Sequence, residues 1–226
     1  MKRYLLLIGL VATQIAKAQV TSFDIDSSKF LKPVMAKLDS IYLDDQSPRR
    51  KFEVAVQRKE QKFKIDSLRN YMHQKDRENI AKVTAIIDQY GWLGPQKVGF
   101  SASQALFLVI QHADLATQKR YLPLIRAAEK KGEILSSNLA LLEDRINMHE
   151  GKKQVFGSQC FTDKQTGRAY IYPIVDPGHL DERRKSVGLQ PMRDYAAAMH
   201  INWDLEAYKK MLPEIEKIAA QQKLQH

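Results

Sequence analysis

Along most of this chain, apolar residues recur at helical spacing. Leu31, Val34, Met35, Leu38, Ile41 and Tyr42 lie three or four positions apart and mark one face of a first helix. Pro33 suits its first turn, and the turn-formers Asp44-Asp45-Gln46-Ser47-Pro48 are expected to end it. Residues 50–73 are mostly charged, with Phe52, Val56, Phe63, Leu68 and Met72 as a thin apolar stripe. That pattern predicts a long, largely exposed helix. Asp76 is placed to cap a further helix, buried through Ile80, Val83, Ile87 and Tyr90 and stopped at Gly91. Trp92-Leu93-Gly94-Pro95 reads as a turn with an aromatic anchor.

The most apolar stretch is residues 101–118, where Ala105 to Ile110 runs into Gln111-His112-Ala113-Asp114. Ser101 and Gln104 have the capping-box spacing, so a nearly all-buried helix is expected over 102–113. Thr117 can cap the next helix, which carries Tyr121, Leu122, Ile125 and Ala128 to a stop at Gly132, with a kink or restart at Pro123. Ser137 or Asn138 opens another, with Leu139, Leu142 and Ile146 inward and Gly151 at its end. The period then changes to two. Residues 154–162 and 168–175 alternate and are rich in β-branched and aromatic residues, and Asp163-Lys164-Gln165-Thr166-Gly167 is turn chemistry. Asp176-Pro177-Gly178 opens a short basic helix that stops at Gly188. Pro191 opens another with Tyr195 inward, and the last helix covers about 204–223 and contains Pro213. The sum is a mainly α fold: a single multi-helix domain with one β-hairpin near residues 154–175.

The first residues change where that fold is expected to work. Lys2 and Arg3 precede a mostly apolar run, and Ala16-Lys17-Ala18 is a small-x-small cleavage site before Gln19. This is the secretory pattern, too short and too polar for a membrane span. The expected organisation is a signal peptide over 1–18, a mobile lead-in over 19–29 and the domain over 30–226. The chain is expected to be exported, periplasmic or secreted, and not transmembrane once the signal is cleaved. One cysteine, Cys160, excludes an internal disulfide, so packing alone must stabilise the fold. The net charge is +10, and ten Lys or Arg against four acids lie between Arg49 and Arg77. A solvated helix face explains that run, and contact with an anionic surface, lipid headgroups or cell-surface polymer, is the sharper reading. No nucleic-acid motif is present.

The familiar catalytic signatures are absent: no G-x-S-x-G elbow, no P-loop, no H-E-x-x-H and no C-x-x-C pair. What remains are loose polar constellations. His112 and Asp114, two apart on a helix, point about 200° from one another, so they share no ligand unless the helix has ended. Asp114 continues the stripe Gln104, Phe107, Gln111 and ends it at Gln118. Buried polar groups there must bond to something, with neighbouring backbone the plain answer. Arg145, set among Leu141, Leu142 and Ile146, must snorkel or pair with a carboxylate, and Asp114 is the candidate partner. Gln154 and Gln159 fall on opposite faces of a regular strand, and a bulge at Gly157 would bring them to one side. Cys160 reads as a small hydrophobe rather than a nucleophile.

Taken in order, Tyr90-Gly91-Trp92, Gln111-His112-Ala113-Asp114, Asp144-Arg145, the segment from Gln154 to Gln159, and Asp181-Glu182-Arg183-Arg184 with Val187-Gly188-Leu189 form a series. The series resembles an uncharacterised bacterial domain-of-unknown-function family. Its phrases are tyrosine-glycine-tryptophan, glutamine-histidine-alanine-aspartate, aspartate-arginine and tyrosine-glycine-threonine-glutamine. Phe156 replaces the last tyrosine and Ser158 the threonine. Asp45, Gln46 and Arg49 resemble the family's N-terminal phrase. The resemblance implies no reaction; it selects Asp45, Gln46, Arg49, Gln111, His112, Asp114, Asp144, Arg145, Gln154 and Gln159 as polar positions.

Two functional expectations follow, neither of which settles whether the protein is an enzyme. The first is a binding or interaction module of the cell envelope, taking a polar small molecule or peptide through Asp45, Gln46, Arg49, Gln111, Gln154 and Gln159. The second is a hydrolase or lyase with His112 as general base, Asp114 or Asp144 orienting it and Arg145 stabilising negative charge. A purely structural polar core is the remaining possibility. No metal and no cofactor are called for.

Overall fold

The computed structural model describes residues 19–223, and the expected signal peptide over 1–18 lies outside them. Among the described residues the chain forms nine α-helices and a two-stranded hairpin. The helices are α1 (Lys32–Gln57), α2 (Lys62–Tyr90), α3 (Pro95–Val98), α4 (Phe100–His112), α5 (Leu115–Lys130), α6 (Ser136–Glu150), α7 (Leu180–Ser186), α8 (Met192–Ala198) and α9 (Leu205–Lys223). Strands β1 (Cys160–Thr162) and β2 (Ala169–Ile171) lie between α6 and α7. No described helix is long and apolar enough to cross a membrane.

Two apolar clusters hold the chain. The larger joins Val34, Leu38 and Ile41 of α1 to Val83 and Ile87 of α2, the buried face of α4, Tyr121 and Ile125 of α5, and Leu142 and Ile146 of α6. The apolar run of α4 is its centre, with Ala105, Leu106 and Ile110 fully enclosed. The smaller joins Tyr170, Ile171 and Ile174 to Leu180 of α7, Met192 and Ala196 of α8, and Tyr208 and Ile215 of α9.

Several boundaries differ from the sequence expectation. The first helix does not stop at residues 44–48; α1 runs through a buried Pro48 to Gln57. Proline removes one intrahelical hydrogen bond at a cost of about 3 kcal/mol, which packing of α1 on α4 offsets. Residues 62–90 are one helix rather than two, because the Asp76 side chain pairs with Arg49 instead of capping. Tyr90, expected inside, is exposed, while Trp92 and Leu93 just beyond Gly91 are buried. Pro123 and Pro213 lie inside continuous helices, with no restart at Pro123. Gly99 precedes α4, and Gln104 accepts from Asn138 Nδ2 at 2.9 Å instead of closing a capping box with Ser101. Ahead of α1, Val20 and Ser136 exchange two hydrogen bonds, at 2.8 and 3.0 Å, and the Phe23 ring packs on Phe100.

The hairpin is shorter than its alternating pattern. Register pairs Cys160 with Ile171, Phe161 with Tyr170 and Thr162 with Ala169, around a turn in which Asp163 accepts from Gln165 N and Thr166 Oγ1. Residues 154–159 are not strand but an irregular loop fastened from both sides. Asp144 of α6 accepts from the backbone amides of Val155, Phe156 and Ser158 and from the Ser158 hydroxyl, at 2.7 to 3.1 Å. From α7, Arg183 Nε donates to the Val155 carbonyl at 2.9 Å and Arg184 Nη1 to the Phe156 carbonyl at 2.6 Å. The loop thus couples a helix of the larger cluster to a helix of the smaller one.

Candidate functional site

Asp45 and Arg49 lie one turn apart on α1, on the face turned toward the C-terminal end of α4. His112 closes α4, and its Nδ1 is 3.1 Å from Asp45 Oδ1. Arg49 binds the same group of atoms. Its Nη2 is 3.2 Å from Asp45 Oδ1, its Nε is 3.1 Å from His112 Nδ1, and its Nη2 also bonds Asp76 of α2. Gln46 Nε2 donates to Asp45 Oδ2 at 2.7 Å. Four of the polar positions selected from sequence, Asp45, Gln46, Arg49 and His112, therefore meet at one place.

The electrostatics assign protons. Burial alone would raise the Asp45 carboxyl, but the hydrogen bond and charge of His112, with Arg49 and Gln46, hold it below the usual carboxylate range. Burial depresses His112, and the charges of Arg49 and Arg145 add to that, against the pull of Asp45. Asp45 is ionised, held by donors from Arg49 and Gln46 beside the His112 ring, and His112 is neutral, because burial first and then the charges of Arg49 and Arg145 outweigh the pull of Asp45. The neutral ring uses Nδ1 either as donor to Asp45 or as acceptor from Arg49. Among the described residues His112 Nε2 has no hydrogen-bond partner, and it is not fully enclosed.

Arg145 approaches from α6, close enough for its charge to act on His112, His149, Arg49 and Cys160. It makes no ion pair or hydrogen bond within the described chain, and its Nε is buried without a partner. Its terminal nitrogens are not enclosed in this way. Burial holds this guanidinium below its ordinary pKa, and the charge of Arg49 acts in the same direction. Tyr195 is close by; its hydroxyl, pushed up by burial, donates to the Ser158 carbonyl at 2.6 Å.

The other selected residues do not join this group. Asp114 is exposed, caps α5 through Thr117 N at 2.7 Å, and forms no pair with Arg145. Asp144 is spent on the 155–158 loop and makes no contact with His112. Gln111 donates to the Leu141 carbonyl at 3.3 Å, and Gln118 donates to the carbonyls of Gln111 and Ala113, so the stripe bonds to neighbouring backbone. Gln154 is consumed inside its own loop, bonding Gln159 backbone on both sides and the Tyr172 carbonyl, and Gln159 Nε2 bonds Ser158 Oγ. The bend at Gly157, with φ +67°, is present. Cys160 is half-buried, and burial pushes its thiol up, against nucleophile chemistry.

Asp76, which reads in the sequence as a helix cap and not as a site residue, also joins the group: α1 and α2 form one long antiparallel hairpin folded about residues 58–61, which brings it opposite α1. Asp45, Asp76 and His112 place three ligand atoms within 4.8 Å of one another. Arg49 already bonds all three residues, so a cation there would have to expel a guanidinium. It is the guanidinium, and not the donor chemistry, that stands against a metal there.

The model of a family of unknown function, DUF6624, matches residues 50–208, and the chain belongs to that family. Comparison with curated proteins and with solved structures gave no match. The matched span includes His112, Asp144, Arg145 and the clamped loop, and starts one residue after Arg49.

Proposed function

We propose that this DUF6624 protein is an exported binding module of the cell envelope that takes a polar small molecule or peptide by an anionic group, carboxylate or phosphate, at Arg145. Arg145 itself carries this reading: a guanidinium with a buried, unpartnered Nε and no carboxylate beside it is costly in a structure stabilised by packing alone. The other arginines near the loop do bond to protein: Arg183 to carbonyls, Arg49 to two carboxylates, and Arg184 to two carbonyls through Nε and Nη1, although its Nη2 is also buried without a partner; Arg145 alone of the four makes no hydrogen bond among the described residues. An anion accepting two parallel hydrogen bonds from Arg145 would supply the missing partner. A panel of small carboxylates and phosphates, tested by thermal shift at constant ionic strength, is expected to raise the melting temperature of the wild type and leave Arg145→Met unmoved. Equal shifts in both proteins would refute it.

Export is supported by the leader pattern, and Val20 already pairs with Ser136, so a chain starting at Gln19 keeps the described fold.

The contact between His112 and Asp45 favours a second reading, a hydrolase or lyase at the same place. Asp45, rather than Asp114 or Asp144, would hold Nδ1–H. Nε2 would take the proton, and Arg145 would stabilise developing negative charge. Hydrolysis of an ester or amide panel that is lost in His112→Gln but kept in Gln111→Ala would establish it. Absence of turnover in the wild type would leave binding alone.

A further inference from the structure

The free end of the α1–α2 hairpin carries a feature that the polar site does not use. The last buried residue of α1 is Ala55 and the first of α2 is Asn79, and none of residues 56–78 between them is buried. At 1.5 Å per residue, the N-terminal part of α2 extends roughly 25 Å beyond its first buried residue. A solvated helix end of this kind ordinarily carries mixed charge and no large apolar group. Here Phe63 is 71% exposed, held between Lys62 and Lys64, and Val56 is 46% exposed across the turn.

The charge around Phe63 is one-sided. Among the described residues Arg58, Lys59 and Lys62 make no ion pair, while Lys64 pairs with Glu60 at 3.0 Å and Arg69 with Asp66 at 2.7 Å. Glu60 is the one acid in the turn itself. A bare aromatic beside several unpaired cations at the apex of a protruding hairpin is the arrangement that binds a membrane surface: cations meet anionic headgroups and the ring enters the acyl boundary.

We propose that this apex docks the protein on bilayers rich in anionic phospholipid. A soluble polyanion would satisfy the cations and give Phe63 nothing to enter, so the exposed ring favours lipid. The docking rests on observations separate from Arg145 and holds whatever the polar site binds.

The test is co-sedimentation of the chain from Gln19 onward with phosphatidylglycerol–phosphatidylcholine vesicles and with pure phosphatidylcholine vesicles. Binding is expected to the anionic vesicles only and to fall with added salt. The double variant Lys59→Glu/Lys62→Glu should weaken it by about twentyfold or more, at about fivefold per cation removed. Phe63→Ser should weaken it severalfold. These residues touch no core, and unchanged circular dichroism and melting will show that the variants fold. Absence of binding to anionic vesicles at low salt overturns the proposal. So does binding that Phe63→Ser leaves unchanged and that soluble polyglutamate competes away, which would mark a general polyanion patch.

Discussion

His112 Nδ1 lies 3.1 Å from Asp45 Oδ1, across a sequence separation of 67 residues. The contact joins the end of the most apolar helix to the middle of α1, and Arg49 completes it from one turn further along. It places a neutral imidazole beside a buried carboxylate and near two guanidinium groups.

That placement fixes a pH dependence. His112 is held below its ordinary value of 6.5, burial first and then the charges of Arg49 and Arg145, so the unfolded chain takes up its proton at higher pH than the folded one. Stability rises with pH wherever the unfolded state binds more protons. The folded protein should therefore lose stability as pH falls below 6.5, until the folded ring itself protonates. His149 is shifted in the same direction, by partial desolvation and then the Arg145 charge, but it is exposed and adds less. Urea midpoints at successive pH values should show a smaller decline for His112→Gln than for the wild type.

Asp144 is expected to be a folding residue. Three backbone amides and one hydroxyl converge on its carboxylate. Asp144→Ala leaves those donors buried and unpaired, and a loss of about 3–5 kcal/mol in urea denaturation is expected. Near-wild-type stability would contradict the loop-clamp account.

Gly157 should tolerate no side chain. Its φ is +67°, and a Cβ there would meet Ile174 Cδ1 and Met192 Sδ at 3.2 Å and Leu180 Cδ2 at 3.4 Å. Left-handed strain and crowding together predict a loss of about 2–4 kcal/mol for Gly157→Ala, read as a lowered melting temperature.

Export makes a prediction by mass. Expressed with its leader in a secreting bacterial host, the chain recovered outside the cytoplasm should begin at Gln19. Recovery only of uncleaved chain in the cytoplasm would remove the envelope from the proposed function.

Short-range physics carried much of the fold. The apolar run of α4, the stops at Gly91 and Gly151, and the turn over residues 163–167 each follow from a few neighbouring side chains. The helix ends at residues 44–48 and 76 were misplaced because local turn chemistry was overruled by packing of α1 on α4 and by the pairing of Asp76 with Arg49. The alternating pattern over 154–159 reflected burial of a clamped loop rather than a strand. Of the site, the individual polar residues were visible, but which carboxylate meets His112 depends on how α1 and α4 cross. No periodicity encodes that pairing, and Asp114, nearest in sequence, turned out to cap α5 instead.

The central claim is that Arg145 is kept unpaired for a ligand, at some cost to the folded chain. Denaturation of wild type and Arg145→Met in a buffer without small multivalent anions or carboxylates tests it most directly. Methionine keeps the apolar packing of the stem and removes the unsatisfied charge. The account predicts that Arg145→Met is at least as stable as the wild type. A loss of about 3 kcal/mol or more would show Arg145 to be a structural group and contradict it.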